Sequence, residues 1–96
     1  MNARPGIYSA IDAERKRQYD KWAAPHNWGR GDCSSDHVPE IVKSSILTEE
    51  CGEVARAVLE RDQDQLRLEL VQVAAVAVAW LESLTDGEPD LFDGSA

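Results

Sequence analysis

The sequence has few basic residues and few aromatic residues. Ten Lys and Arg stand against eighteen Asp and Glu, so the formal net charge is −8. A surface of this sign repels the phosphate backbone of DNA and RNA, and we therefore expect no nucleic-acid polymer as a partner. The charge does not exclude a single nucleotide, because divalent cations can lie between carboxylates and phosphates.

Cysteines and long apolar runs are scarce as well. Two cysteines, Cys33 and Cys51, are too few for a disulfide scaffold and indicate a reducing compartment. The N-terminal segment MNARPGIYSA lacks the apolar run of a signal peptide. The longest apolar run, residues 73–81, is less than half as long as a membrane span. We therefore expect a cytoplasmic protein without a membrane partner.

Helical periodicity is the main pattern that the sequence does have. Its 96 residues, 43% of them hydrophobic, predict a single domain over 1–96, with a flexible arm over 1–6 and an acidic tail over 85–96. Apolar residues recur at helical spacing in three segments, 7–22, 39–60 and 65–84. The polar segment 23–38 is long for a loop, which is typical of functional or mobile segments. The predicted fold is an all-α antiparallel bundle of about three main helices.

The third helical segment is apolar on every side over its second half, VAAVAVAWL. A helix that has no polar face has to be surrounded by other elements. The two other helices of so short a chain cannot cover it completely. We therefore expect a homo-oligomer, a dimer or a tetramer, that completes the bundle around this helix.

Three carboxylates, Glu49, Glu50 and Glu53, lie close together in the second helical segment. At 100° per residue they occupy an arc of about 100° on the helix surface. This arc borders the predicted buried stripe of Leu47, Cys51, Val54 and Val58. Three like charges at that position cost free energy unless something neutralises them.

The third segment supplies a matching carboxylate, Glu69, among apolar neighbours. In an antiparallel hairpin that turns near Asp62, Glu53 comes opposite Glu69, and Glu50 opposite Gln72, at an offset of ~3 Å. Oxygen ligands without His or Cys favour Mg²⁺ or Mn²⁺ over zinc. The purely structural alternative is an ion pair between such a glutamate and a neighbouring arginine.

Two motifs give this pattern a family resemblance. The segment Glu50-Cys51-Gly52-Glu53-Val54-Ala55-Arg56, followed by ELVQVAAVAVAWL over 69–81, resembles the MazG-like, all-α nucleoside triphosphate pyrophosphohydrolases. The opening Glu14-Arg15-x-Arg17-Gln18-x-x-Lys21-Trp22 looks like the first helix of short actinobacterial and phage members. The resemblance covers roughly residues 7–84.

The resemblance implies a set of metal ligands. Members of the superfamily coordinate Mg²⁺ through Glu-x-x-Glu on one helix and Glu-x-x-Asp on the next. Glu50, Glu53 and Glu69 match three of these ligands. Gln72 stands where the family has Asp, and its carbonyl oxygen can still be a ligand although it brings no charge. Glu49 matches an extra acidic residue of dUTPase-like relatives and is the plausible general base.

The implied reaction is hydrolysis of a nucleoside or deoxynucleoside triphosphate to the monophosphate and pyrophosphate, with Mg²⁺, or alternatively Mn²⁺, as cofactor. The candidate phosphate-binding residues are Arg15, Arg17, Lys21 and Arg30. The candidate base-binding residues are Trp22, His26, Asn27 and Trp28. The alternative is a non-catalytic helical oligomer, or a nucleotide-binding or interaction module, that kept the fold. That reading is favoured by the uncharged Gln72.

Overall fold

A computed structural model describes residues 2–85 and is mostly helical, which confirms the predicted class. These residues form three helices and one short hairpin, which lies in the segment between the first and second helices. The elements are α1 (Arg4–Lys21), β1 (Pro25–His26), β2 (Gly29–Arg30), α2 (Glu40–Leu59) and α3 (Gln63–Thr85). The helices agree with the predicted segments to within a few residues. The acidic tail expected over 85–96 lies outside the described residues, apart from Thr85 at the end of α3.

Helix α1 begins earlier than the sequence pattern predicts. Its first residue is Arg4, so the flexible arm expected over 1–6 is wrong for residues 4–6. The Oδ1 atom of Asn2 accepts a hydrogen bond from the Arg4 N–H at 3.0 Å, which satisfies one of the free amides at the helix start. Pro5 lies in the first turn, where its missing N–H costs nothing.

A tight turn sets α2 and α3 antiparallel. Arg61 adopts a left-handed conformation, with φ of 55°. The N–H groups of Arg61 and Asp62 bond back to the carbonyls of Val58 and Ala57, which is a Schellman ending of α2. The Oδ1 atom of Asp62 then accepts the N–H of Gln65 at 3.0 Å and caps α3. Arg61 therefore ends α2, and the next residue, Asp62, caps the start of α3.

Helix α3 is the common support of the fold. Its buried residues Ala75, Val76 and Ala79 include two alanines, whose small side chains allow neighbouring elements to approach. Both α1 and α2 pack against α3, whereas no Cα atom of α1 comes within 8 Å of a Cα atom of α2 along their described lengths. The space between α1 and α2 is therefore a cleft whose floor is α3.

Helix α2 is rotated relative to the predicted orientation. Cys51 and Val58, expected on the buried stripe, are exposed, whereas Lys43 and Ala57 are buried. Lys43 is 1% exposed, and its Nζ donates to Ser83 Oγ of α3 at 2.9 Å. Hydrophobicity patterns assign a lysine to solvent and therefore missed this rotation. Its consequence is that the carboxylates of α2 turn further toward the interior.

An apolar stripe of α3 remains exposed. Leu70, Leu81 and Leu84 are 51%, 42% and 59% exposed. Residues spaced i, i+11 and i+14 lie on one face of a helix, and this is the spacing of apolar residues at a contact between two helices. By length and composition alone α3 also qualifies as a membrane span. That is weak evidence, because the core helix of a soluble protein meets the same criterion.

An ion-pair cluster ties α1 to the loop and to α3. Arg15 of α1 donates to Asp32 Oδ2 at 2.5 Å and to Glu82 Oε1 at 2.7 Å. Burial opposes ionisation of Asp32, but hydrogen bonds from Ser34 and Arg15 outweigh it and lower the Asp32 pKa. The Asp32 and Arg15 side chains are only 5% and 11% exposed, so the pair is largely shielded from water.

Replacing Arg15 by Met should destabilise the protein by about 3 kcal/mol at neutral pH, because it leaves the buried Asp32 carboxylate without its cation. Since the Asp32 pKa is lowered on folding, the stabilisation is present above the ordinary pKa of Asp, about 3.9, and is lost as the pH falls through the lower folded value. Urea unfolding between pH 7 and pH 3 measures the difference.

Lys16→Met is the matched control, since Lys16 is 79% exposed and pairs only with Asp20. It should cost less than about 0.5 kcal/mol at every pH. An Arg15→Met penalty that stays constant down to pH 3 would contradict the role assigned to the buried pair.

Candidate functional site

The cleft between α1 and α2 encloses about 330 Å³. One wall is formed by α2, through Ile46, Glu49 and Glu50. The opposite wall is formed by α1, the floor by α3, and one end by the hairpin and the loop that follows it. Most of the residues that the sequence singled out for chemistry lie on these surfaces.

Glu50 of α2 and two residues of α3, Glu69 and Gln72, form a group that we call the acidic wall. Glu50 and Gln72 line the cleft, and Glu69 lies directly behind Gln72 with only 6% exposure. The Oε1 atom of Glu69 accepts a hydrogen bond from Gln65 Nε2 at 2.6 Å. A buried carboxylate on an apolar helix needs such partners, because unpaired burial of a charge is costly.

The Gln72 amide lies between the two carboxylates and can present either of its ends to them. With its nitrogen turned inward it donates to Glu50 Oε2 at 3.2 Å and to Glu69 Oε2 at 3.1 Å. With its carbonyl turned inward, the Gln72 oxygen lies at these same distances from one oxygen of each carboxylate. Two adjacent ligands of an octahedral Mg²⁺ at 2.0–2.1 Å lie about 3.0 Å apart, so both Gln72–carboxylate distances are compatible with a shared hard cation.

The electrostatics of the acidic wall are unfavourable in the absence of a cation. Burial raises the pKa of Glu50, and neighbouring carboxylates raise it further, in the order Glu69, Glu49, Glu53 and Glu14. A raised carboxyl pKa means that the folded protein disfavours the negative charge. A bound cation or the Gln72 amide nitrogen would relieve this repulsion.

Glu53 does not join the acidic wall closely. It pairs with Arg56 at 3.7 Å, and its side chain is 41% exposed. Within residues 2–85 no group of three or more His, Cys, Asp or Glu side chains is close enough together to hold a metal ion. The structure therefore brings together Glu50, Glu69 and Gln72, with Glu49 beside them. The arrangement has two carboxylates rather than three, and Gln72 has to supply the third oxygen.

The α1 wall carries a charged residue that sequence reasoning missed. Glu14 lines the cleft beside Arg17 and Lys21, although it was not among the candidate site residues. Arg17 Nε donates to Glu14 Oε1 at 2.8 Å, and this bond lowers the Glu14 pKa. The i, i+3, i+7 spacing of Glu14, Arg17 and Lys21 was the available signal, because these positions share one helix face.

Aromatic side chains surround the hairpin end of the cleft. Trp22 and Trp28 line it and are 40% and 57% exposed, so a large part of each residue is accessible. His26 meets Trp22 edge to face, with ring centroids 5.2 Å apart. The Lys21 ammonium lies 5.1 Å from the centroid of the Trp22 ring, a cation–π distance. This end can accept a flat ring, while a cationic group lies next to it.

Three predicted substrate ligands do not line the cleft. Arg15 is hydrogen-bonded to Asp32 and Glu82. Burial by itself would lower the Arg15 pKa, but these two hydrogen bonds outweigh it and raise the pKa. Asn27 and Arg30 are exposed on the hairpin, away from the cleft surface. Arg15 is therefore better described as a structural residue, and sequence spacing could not reveal this because both of its partners are distant in sequence.

The loop at the end of the cleft contributes Cys33 to its lining. Its thiol is buried, and burial together with the nearby Asp32 charge raises the Cys33 pKa. A thiol in this state is neutral and weakly reactive. Cys33 packs with Val76 and Ala79 of α3 and belongs to the core.

The chain matches no protein-family model, no curated protein and no solved structure. The likeness to MazG-like enzymes rests on the sequence motifs alone. The cleft is therefore interpreted from its own geometry.

Replacing Glu50 by Gln should stabilise the cation-free protein by about 0.5 kcal/mol at neutral pH, because it removes one of the repelling charges. The folded-state pKa of Glu50 is raised, so ionisation works against folding above that pKa. The gain should disappear as the pH falls toward about 4, where the carboxyl is protonated in both states. Urea unfolding in the presence of EDTA measures it.

Asp12→Asn is the matched control, since it removes one negative charge from an exposed site on α1 outside the cleft. If both substitutions change the stability equally, the effect of Glu50 reflects net charge and not the acidic wall.

Proposed function

We propose that the protein is a Mg²⁺-dependent nucleoside triphosphate pyrophosphohydrolase, which converts a nucleoside or deoxynucleoside triphosphate to the monophosphate and pyrophosphate. The observation that carries this proposal is one cleft with carboxylates on one wall and cations and aromatic rings opposite. A nucleotide carries the complementary groups, a polyphosphate and a flat base. The motif resemblance to MazG-like enzymes points to the same reaction.

The acidic wall would hold the metal. Glu50, Glu69 and the carbonyl of Gln72 would be its ligands; in support, the Gln72 amide lies 3.2 Å from Glu50 Oε2 and 3.1 Å from Glu69 Oε2, close to the separation of adjacent Mg²⁺ ligands. Glu53 would add a further carboxylate from the more exposed side of this group. When bound, the cation supplies neutralisation of phosphate charge and a more acidic water. Mn²⁺ has the same ligand preference and is expected to substitute.

The opposite wall would bind the nucleotide. Lys21 reaches the cleft and is a candidate for the outer phosphates. Arg17 also reaches it, and its pKa is raised chiefly by the hydrogen bond to Glu14. Glu14 thus holds the Arg17 guanidinium through two hydrogen bonds on the cleft wall. Trp22 and Trp28 would stack on the base, since an aromatic face accepts any nucleobase.

Glu49 is the best candidate for the general base. It lines the cleft beside Glu50 and is exposed, so it is able to exchange protons with solvent. A base at this position would take the proton of the attacking water as the water approaches the α-phosphorus. To act as the base, Glu49 has to lie within hydrogen-bond distance of that water when the nucleotide and the metal are bound.

One observation favours a second candidate function, nucleotide binding without turnover. The Gln72 nitrogen satisfies both Glu50 and Glu69 in the absence of a cation. If this arrangement persists when nucleotide is present, the acidic wall has no vacant ligand position. The protein would then be a binding or interaction module that retains the cleft.

With Mg²⁺ or Mn²⁺ and a panel of deoxynucleoside triphosphates, the protein should release pyrophosphate and show a raised melting temperature. Ligand at about 100 times its Kd stabilises the folded state by about 2.7 kcal/mol. The Glu50→Gln variant should lose both responses, whereas Asp12→Asn should keep both. Neither pyrophosphate nor a thermal shift with any triphosphate would contradict the proposal.

The substitution Gln72→Asp, included in the same assay, separates the two candidates. It restores a charged ligand in place of the amide and removes the donor that satisfies Glu50 and Glu69. Metal affinity should rise, and the stability without metal should fall. A large gain in turnover indicates an enzyme weakened at its fourth ligand, whereas binding without turnover in both forms indicates the module.

We also propose that the protein works as a homo-oligomer, a dimer or a tetramer, that buries the exposed stripe of α3. Leu70, Leu81 and Leu84 would be covered by a second copy. A leucine at about half exposure contributes on the order of 1 kcal/mol when it is buried. In a symmetric dimer each copy contributes the same three leucines, so their burial favours association of the two α3 stripes.

Replacing Leu81 by Arg should lower the oligomeric mass, because it places a charge in the centre of the stripe. Light scattering coupled to size-exclusion chromatography measures the mass. Leu59→Arg is the matched control, since Leu59 is 83% exposed at the end of α2 and not on α3. A wild-type protein that is monomeric at all accessible concentrations would overturn the proposed assembly.

A further inference from the structure

Both ring nitrogens of His26 are occupied by the backbone of its own hairpin. The Nε2 atom lies 2.7 Å from the carbonyl oxygen of Gly31. A carbonyl only accepts, so Nε2 has to carry the proton. The N–H of Trp28 donates to the Nδ1 atom at 3.2 Å, which requires an unprotonated Nδ1. The two contacts together specify the neutral tautomer with its proton on Nε2.

These two bonds hold a hairpin that is too short to be stable alone. Each strand has two residues, and Pro25 and His26 pair with Arg30 and Gly29. An isolated two-stranded hairpin is marginal even when it is longer. The His26 ring therefore connects the first strand both to the turn and to the residue that follows the second strand.

The hairpin is fixed to its surroundings at its glycine positions. The N–H of Gly31 donates to the Trp22 carbonyl at 2.9 Å, which attaches the hairpin to the end of α1. Gly29 has φ of 126°, and a Cβ atom there would lie 2.7 Å from the His37 carbonyl oxygen. No other residue fits at this position without displacing that backbone. The hairpin can therefore be held in one place at the mouth of the cleft.

We propose that His26 is a positioning residue: its Nε2–H tautomer fixes the hairpin so that Trp28 stands at the cleft mouth to stack on the nucleobase. This inference rests on the proposed nucleotide function. It also changes the role expected of His26. Because both nitrogens are committed to backbone groups, the ring makes no edge hydrogen bond to the base, and it acts through Trp28.

The tautomer can be tested in the free protein by ¹⁵N NMR of the histidine rings. His26 should show one pyrrole-like and one pyridine-like nitrogen, with the proton on Nε2, at neutral pH. His37, exposed in the same loop, should show the averaged signals of a free ring. A His26 ring that is averaged, or protonated on Nδ1, would overturn the proposal irrespective of any nucleotide binding.

The positioning role can be tested with variants that each keep one half of the contact set. Gln at position 26 can keep the donor to Gly31, and Asn can keep the acceptor for Trp28. We expect His26→Ala to weaken binding of a deoxynucleoside triphosphate by about tenfold, the size of one lost stacking contact. His26→Gln and His26→Asn should fall between Ala and wild type. The change should appear in KM while kcat stays within about twofold.

A double-mutant cycle separates positioning from direct contact. If His26 acts through Trp28, then Trp28→Leu combined with His26→Ala should bind no more weakly than Trp28→Leu alone. His37→Gln is the control and should bind like wild type. Additive losses, or His26 variants with wild-type affinity, would overturn the positioning role. A wild-type protein that binds no nucleotide would overturn the proposed function and this role together, whereas the NMR result would still report on the hairpin.

Discussion

The fold depends on the packing of two helices against one shared helix. Helix α3 carries small buried residues at Ala75 and Ala79, so α1 and α2 both pack on it, while no Cα atom of α1 comes within 8 Å of a Cα atom of α2 along their described lengths. In a compact three-helix bundle each helix would pack on the other two, and the space between them would be filled. Here that space stays open as a cleft. The same packing leaves part of α3 exposed, so cleft and exposed stripe have a common origin.

The cleft brings charged side chains of α1 and α2 together on two opposite walls. On one wall, burial and acidic neighbours raise the pKa of Glu50. On the opposite wall Glu14 and Arg17 neutralise each other through a short bidentate pair. The two walls therefore differ in charge: the first needs a positive charge, whereas on the second Lys21 adds a positive charge to the neutralised Glu14–Arg17 pair. This asymmetry is what makes the acidic wall a candidate cation site.

The loop between α1 and α2 is ordered by local polar contacts and not by a core of its own. Asp32 bonds to Ser34 and to Arg15, and His26 bonds to two backbone groups of the hairpin. Each bond satisfies a polar group that would otherwise be left near the interior. The aromatic side chains at the mouth are thus carried by a segment whose shape is set by hydrogen bonds. Recognition of a ligand there depends on that network as much as on the rings.

The sequence by itself determined the three helices and the pairing of Glu50 with Gln72. Helical periodicity is local, and an antiparallel turn at Asp62 converts residue spacing into spatial distance. It did not determine the rotation of α2, which depends on the burial of Lys43 against Ser83. It also did not separate Arg17, which faces the cleft, from Arg15, which is held by Asp32 and Glu82. Those assignments needed the tertiary structure, because a charged side chain has the same local pattern whether its partner is solvent, a ligand or a carboxylate distant in sequence.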